Sequence, residues 1–267
     1  MRLVIKSINH LKYAANASGS WNIETVDFGA GSYNSIAIDN NGNVHLAYPS
    51  YDHHLQYLTN KTGSWVRETV SAPWEEASHT KIGIDSKGNV HIVYMEYISK
   101  ALRYVTNSGL LPSPECSGNW CRLAVDLYSG WDNDMLIDAN DVIHISHYTE
   151  TPNFALKYST ISAGSAQTEI VTNGVCWFTA IGMDSRGKIH IVFFDLGDYS
   201  LKRITNAWPH LGPWVIELID DSRTDTGRYT SMAIDKNDHL HVSYTSFDWR
   251  WNGIINVPDY NLMYAYK

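Results

Sequence analysis

Apolar and polar residues alternate with a period of two along most of the chain, in short runs that end at Gly, Asn, Asp or Ser. That is the pattern of half-buried β-strands closed by turns, and no segment keeps a 3.6-residue period over the length of a helix. The runs recur in a fixed order. "AIDNNGNVHLAY" at 37–48 returns as "GIDSKGNVHIVY" at 83–94, then more loosely as "LIDANDVIHISHY", "GMDSRGKIHIVF" and "AIDKNDHLHVSY". The repeat aspartates Asp39, Asp85, Asp138, Asp184 and Asp235 are spaced by 46, 53, 46 and 51 residues. Two further strand-like runs follow in most copies, a Leu-x-Tyr run ("LQYLTN", "LRYVTN", "LKYSTI") and a Trp-led run ("WVRETV", "WCRLAV", "WVIELI").

Four strands in each repeat of this length predict an all-β fold, a β-propeller of four-stranded antiparallel blades. The strands are called A (ending at the repeat Asp), B (with the repeat His), C (Leu-x-Tyr) and D (Trp-led). The chain opens on C and D and ends on A, B and C. Pairing of N- and C-terminal strands is therefore expected to close the ring, with residues 1–267 forming a single domain. Five blades is the first reading. Both "LKY" at 11–13 and "LMY" at 262–264 are C-type, so six blades with one incomplete is the alternative.

The shared residues read as scaffold. Asp-x-x-Gly makes a tight turn, because Asp bonds the backbone two residues on and Gly takes the positive φ. His45, His91, His144, His190 and His241 lie on strand B, whose two faces are both covered in a blade stack, and are expected to be hydrogen-bonded core groups. The rival is a ring of imidazoles around a metal, which strand B's distance from the axis disfavours. "DNNGN" lacks the length and final Glu of a calcium loop, and no cysteine spacing makes a zinc site, so no metal or cofactor is expected. Trp21, Trp65, Trp120 and Trp214 are expected to anchor strand D in the core.

The blade "IDxxGNVHIxY…LxYxTNxxGxW" resembles the BNR-like repeats of the sialidase superfamily, a fold common among secreted bacterial proteins. The resemblance spans nearly the whole chain and implies the propeller fold and a secreted or cell-surface setting. "TNKTGSW" stands where that superfamily has its Asp-box, with Asn in place of Asp. The arginine triad and the Tyr and Glu of sialidases are not found in order, so the resemblance does not carry sialidase activity to this chain.

Composition narrows the partners. The net charge of −8 gives no basic footprint for nucleic acid, and no apolar run reaches the ~20 residues of a membrane span. "MRLVIKSINH" has too short an apolar run for a signal peptide, which fits either a cytoplasmic chain or a mature segment with an added Met. Cys116 and Cys121 in "PECSGNWC" are placed either to pair or to remain free thiols; Cys176 has no obvious partner.

Function is expected where the copies differ, in the D-to-A and B-to-C loops. Trp74, Trp131, Asp132, Trp177, Arg228, Trp249 and Trp251 are the expected ligand-binding set. Aromatic rings stack on the C–H face of a pyranose, and charged groups hydrogen-bond its hydroxyls. The leading reading is a lectin-like carbohydrate-binding propeller. A glycan-cleaving hydrolase or lyase with its site at the channel mouth is the alternative, drawing on Glu75, Glu76, His79, Asp134, Asp225, Arg228 and Tyr229 for acid, base and charge neutraliser. A protein-interaction scaffold is the third. His147 replaces the Tyr or Phe of other copies and reads as a core histidine more readily than a catalytic base.

Overall fold

The computed structural model describes all residues except 1, 8–9, 31, 110, 112–114, 151–152, 209–210, 223–224 and 252–255. The side chains of 2–7, 207–208, 211–212, 249–251 and 256–257 also lie outside the described residues. The described residues form strands, turns and bends, with no helix.

Among the described residues, six sheets follow one another along the chain. The first is β1 (Arg2–Ser7), β2 (His10–Ala15) and β3 (Asn22–Phe28). The second is β4 (Ser35–Ile38), β5 (Val44–Pro49), β6 (Leu55–Thr59) and β7 (Val66–Thr69). The third is β8 (Ala77–Ile84), β9 (Val90–Glu96), β10 (Ala101–Thr106) and β12 (Trp120–Asp126), with the short β11 (Cys116–Ser117) added outside β12. The fourth is β13 (Ser129–Ile137), β14 (Ile143–Thr149), β15 (Ala155–Ser162) and β16 (Ser165–Asn173). The fifth is β17 (Cys176–Met183), β18 (Ile189–Asp195), β19 (Ser200–Trp208) and β20 (Leu211–Asp220). The sixth is β21 (Asp225–Ile234), β22 (Leu240–Trp251) and β23 (Asn256–Tyr266).

The strands pair antiparallel in the order A, B, C, D that the repeat predicts. The two C-type segments at 11–13 and 262–264 fall in separate sheets, the first and the sixth, each three-stranded. The first sheet has β1 beside its C strand, and β23 pairs with β22. Backbone packing divides the chain into two compact units, the first of 1–130, 139–142 and 161–167, the second of 131–138, 143–160 and 168–267.

Burial is greatest on strand B. β5, β9 and β14 are buried at every residue, whereas β7 is exposed at every residue. In the first unit Leu55, Tyr57, Ile92, Tyr94 and Trp120 share one core cluster; in the second Leu156, Tyr158, Ile191 and Phe193 share another.

The repeated polar residues build this scaffold. Asp39 Oδ1 accepts from the backbone N–H of Asn41 at 2.9 Å and of Asn43 at 2.8 Å, and Gly42 has φ 81°. Where the third and fifth copies lack that glycine, Asp141 and Asp238 take φ 61° and 65°. Their carboxylates also do what glycine cannot: Asp141 accepts from both the N–H and hydroxyl of Ser86, and Asp238 from those of Ser185.

Four repeat histidines accept a tyrosine hydroxyl at Nδ1: His45 from Tyr57 at 2.6 Å, His91 from Tyr104 at 2.6 Å, His144 from Tyr158 at 2.5 Å and His241 from Tyr264 at 2.6 Å. Nε2 of all five faces its repeat Asp at 3.2–3.6 Å. A carboxylate only accepts, so the imidazole proton belongs on Nε2. Burial lowers the pKa of His45, His91 and His190, and the Asp carboxylates only partly oppose it. His45, His91, His144 and His190 are buried core groups, whereas His241, in the last copy, has its side chain 36% exposed, contrary to expectation. In all five both nitrogens are directed at protein atoms, save that Arg203 stands where His190 would meet a tyrosine.

The tryptophans follow the same logic with one correction. Trp65 packs edge-on against Tyr13, Trp120 against Tyr57 and Trp214 against Tyr158, at 5.1–5.4 Å between ring centroids. Their indole N–H groups donate to Glu24, Glu68 and Glu169. Trp21 is 50% exposed, contrary to expectation. Each of the others packs on the tyrosine of the copy before its own, and Trp21 heads the first copy.

Candidate functional site

A feature of the backbone locates the site. The residue six places before each repeat Asp has a positive φ in all five copies: Tyr33 (63°), His79 (47°), Asp132 (45°), Phe178 (55°) and Tyr229 (53°). Four of the five carry rings, for which the left-handed region is strained by roughly 1–3 kcal/mol. The pairing register of β8, β17 and β21 shifts at this point, so each strand bulges and turns that side chain out of its ladder. The residue after the bulge fixes it to the neighbouring sheet. Thr80 donates its hydroxyl to the carbonyl of Tyr33, Thr179 to that of Asp132 at 2.6 Å, and Thr230 to that of Phe178.

The bulged rings meet in pairs. In the first unit Tyr33 stacks on His79 at 4.0 Å. Burial, helped by the charge of Lys81, lowers the pKa of His79 to about 4. In the second unit Phe178 lies 4.5 Å from Tyr229, and Phe194 lies 6.5 Å from Phe178 and 6.3 Å from Tyr199. Tyr229 is 69% exposed. The guanidinium of Arg228 sits over the Phe194 ring at 5.2 Å. Asp225, almost fully buried, holds it by Nε at 2.9 Å and Nη2 at 2.7 Å. The result is an aromatic shelf between the fifth and sixth sheets, with Tyr199 and Tyr229 exposed and Phe194 fully buried behind them, edged by a guanidinium that the buried Asp225 locks in one geometry.

The backbone around the shelf is equally specified. The N–H of Thr226 donates to the carbonyl of Tyr199 at 2.9 Å. Gly227, at φ 119°, lets β21 pass so close to β19 that an added Cβ would lie 3.0 Å from Leu201 Cα.

Of the residues expected from sequence, Arg228, Tyr229 and Asp225 come together here. Asp132 and Asp134 lie one sheet back and accept backbone N–H groups, from Phe178 at 3.3 Å and Ile181 at 3.0 Å. Trp131 and Trp177 are half-buried against the second unit's core cluster. Trp249 and Trp251 have side chains outside the described residues. In the first unit Trp74 is 73% exposed, whereas neighbouring Glu75 is buried, accepting from the Tyr94 hydroxyl at 2.9 Å and the Ala72 N–H at 2.8 Å. Arg103 faces the same carboxylate at 3.5 Å. Glu76 is half-buried, and its N–H donates to Glu96. His147 is buried with Nε2 at 2.7 Å from the Ser159 hydroxyl, and burial, with the charge of Lys157, lowers its pKa to about 3. A base so weak and enclosed fits the core reading.

Sequence reasoning missed Tyr33, Phe178, Phe194 and Tyr199. The signal for the first two was positional. The residue six before the repeat Asp is never β-branched, and Asn or Thr always follows it.

No protein-family model matches this chain, and no curated protein does. Solved structures do. A lectin from Aleuria aurantia in complex with Fucα1-6GlcNAc matches at 11% identity over 98% of this chain and 90% of its own, with a TM-score of 0.60. An endo-arabinase from Bacteroides thetaiotaomicron matches at 14% identity over 87% and 94%, with a TM-score of 0.51. A polysaccharide lyase described as an ulvan lyase matches at 13% identity over 86% and 72%, also at 0.51. Identities this low speak to fold alone, and with the repeated A–B–C–D sheets they show that the chain is a β-propeller.

Proposed function

We propose that this protein binds glycans, as a lectin-like propeller, through the shelf of Phe178, Tyr199, Arg228 and Tyr229, which is backed by the buried Phe194. The observation that carries the reading is the shelf itself: the exposed rings of Tyr199 and Tyr229 and the half-buried ring of Phe178, all held at positive φ, beside a guanidinium that a buried carboxylate fixes in one geometry. A sugar offers C–H faces to rings and hydroxyls to fixed polar groups, and both are supplied. The fold neighbours support the class, since they include a sugar-bound lectin and two polysaccharide-cleaving enzymes.

Binding is favoured over cleavage because the carboxylates expected for catalysis are tied into the scaffold. Glu75 is held by Tyr94 and the backbone, Asp134 by the Ile181 N–H and Asp225 by Arg228. The disulfide between Cys116 and Cys121 supports a secreted or cell-surface setting, where such bonds persist.

The test is pull-down on immobilised polysaccharides, with new reducing or unsaturated ends assayed in the same tubes. Binding without product is expected. Tyr229→Ala removes an exposed ring, so it should weaken binding at least about tenfold while leaving the melting temperature within a degree or two. Product release would replace the lectin reading with an enzymatic one. Unchanged binding by Tyr229→Ala would remove the shelf as the site.

A further inference from the structure

We infer that the glycan taken by this shelf is uncharged, an inference that rests on the glycan-binding reading above. An acidic sugar needs a cation with donors free to grip it. Arg228 is the cation of the shelf, and one carboxylate already occupies it: Asp225 accepts from Nε at 2.9 Å and from Nη2 at 2.7 Å. The bond to Asp225 also raises the arginine's pKa. A uronate or sulfate approaching Arg228 meets the negative charge of Asp225 within the same few ångströms. Drawing the guanidinium away would leave a nearly fully buried carboxylate without its partner, which is strongly penalised.

The loop flanking the shelf repeats the pattern. Lys202 donates to Asp195 at 2.7 Å and to Asp198 at 2.5 Å, so its single positive charge is outnumbered. Burial opposes the charge of Lys202, and the bonds to the two carboxylates outweigh it and raise its pKa. Among the described charged residues of the shelf and this loop, two cations face three carboxylates. The whole chain leans the same way, with 28 acidic against 20 basic residues. A neutral pyranose avoids this repulsion. Its hydroxyls accept from the guanidinium edge, while its C–H face lies on Tyr229 and Phe178.

The experiment uses the full chain and a matched panel: neutral polysaccharides (arabinan, galactan, xyloglucan), acidic ones (polygalacturonate, alginate, ulvan) and each acidic polymer after chemical reduction of its carboxyl groups. Affinity is measured at about 50 and 500 mM NaCl, which separates screened from unscreened attraction. The expected result is a preference of at least about tenfold for neutral or carboxyl-reduced polymers, with little change between the two salt concentrations. Binding confined to acidic polymers and weakened by salt would overturn this inference while leaving the glycan-binding reading intact. Binding to none of the panel would take down both.

Two substitutions probe the cause. Asp225→Asn releases the guanidinium, and the exposed Asp198→Asn, which does not depend on a buried site folding, partly releases Lys202. Each should raise affinity for polygalacturonate severalfold. No gain from either would overturn the electrostatic explanation. Arg223 and the side chain of Arg250 lie outside the described residues, so Arg223→Ala and Arg250→Ala complete the set. Acidic-polymer binding by the parent protein that either abolishes would count against a neutral ligand.

Discussion

At the scale of single residues, the tyrosine–histidine–aspartate line has the most direct consequences. Tyr57 gives its hydroxyl to a buried His45 whose other nitrogen faces Asp39. Tyr57→Phe keeps the ring against Trp120 and removes only that donor. It should therefore cost about 1–3 kcal/mol, the penalty of a buried acceptor left unsatisfied, read as a fall in the urea midpoint at unchanged slope. Gly227 is the other sensitive position. An alanine there combines a φ of 119° with a Cβ 3.0 Å from Leu201 Cα, which is backbone that cannot swing aside. Gly227→Ala should destabilise by about 2 kcal/mol or more and also weaken glycan binding, because the displaced strand carries Arg228 and Tyr229. A stable variant with full binding would contradict both statements.

At the scale of the strand, the A element joins scaffold and site. Its bulge turns one side chain outward, and where Thr follows, its hydroxyl ties the bulge to the neighbouring sheet. Thr179→Val preserves shape and deletes the hydroxyl bond to the Asp132 carbonyl in a buried setting. The expected loss is about 1–2 kcal/mol, with a further drop in affinity because the Phe178 ring follows the bulge. Equal denaturation curves for the variant and parent would show that the bulge is held by other contacts. This element also marks how far the sequence could be read. The Asp turn, the His and the Leu-x-Tyr are the same chemistry in the same place, so repetition exposed the four strands and their order. The bulge repeats a backbone conformation carried by Tyr, His, Asp, Phe and Tyr, and residue identity hides it. The shelf was half legible for that reason. Arg228, Tyr229 and Asp225 stood out as charged or polar loop residues, while Phe178 and Phe194 read as ordinary strand apolars. The carboxylate at Glu75 misled in the opposite sense, since nothing in "PWEEAS" says which glutamate turns inward to Tyr94.

At the scale of the whole molecule, burial of so many imidazoles makes stability depend on pH above the carboxylate range. His45, His79, His91, His147 and His190 all have folded pKa values below the ordinary 6.5, chiefly through burial, with His79 at about 4 and His147 at about 3. In the unfolded chain each takes up a proton near pH 6.5, while in the fold each stays neutral to lower pH. Between those limits the unfolded state binds more protons, so stability falls as pH falls, by up to about 1.4 kcal/mol per pH unit for each such histidine. Their contribution is complete above pH 6.5 and is lost on acidification toward their folded values. Carboxylates such as Asp39, held at about 2 by bonds from Asn43, His45 and Asn41 that outweigh its burial, add their own loss only below pH 4. The urea midpoint should thus be flat between pH 7 and 8 and decline steeply from pH 6.5 to 4. His147→Phe isolates one member of the set, because the other copies already place Tyr or Phe at this position and Ser159 keeps Thr168 as a partner at 2.7 Å. That variant should match the parent within about 1 kcal/mol at pH 7.5 and lose less stability at pH 5, flattening the slope by close to one histidine's share. An unchanged slope would mean that His147 titrates alike in the folded and unfolded chain, which its enclosure in the core forbids.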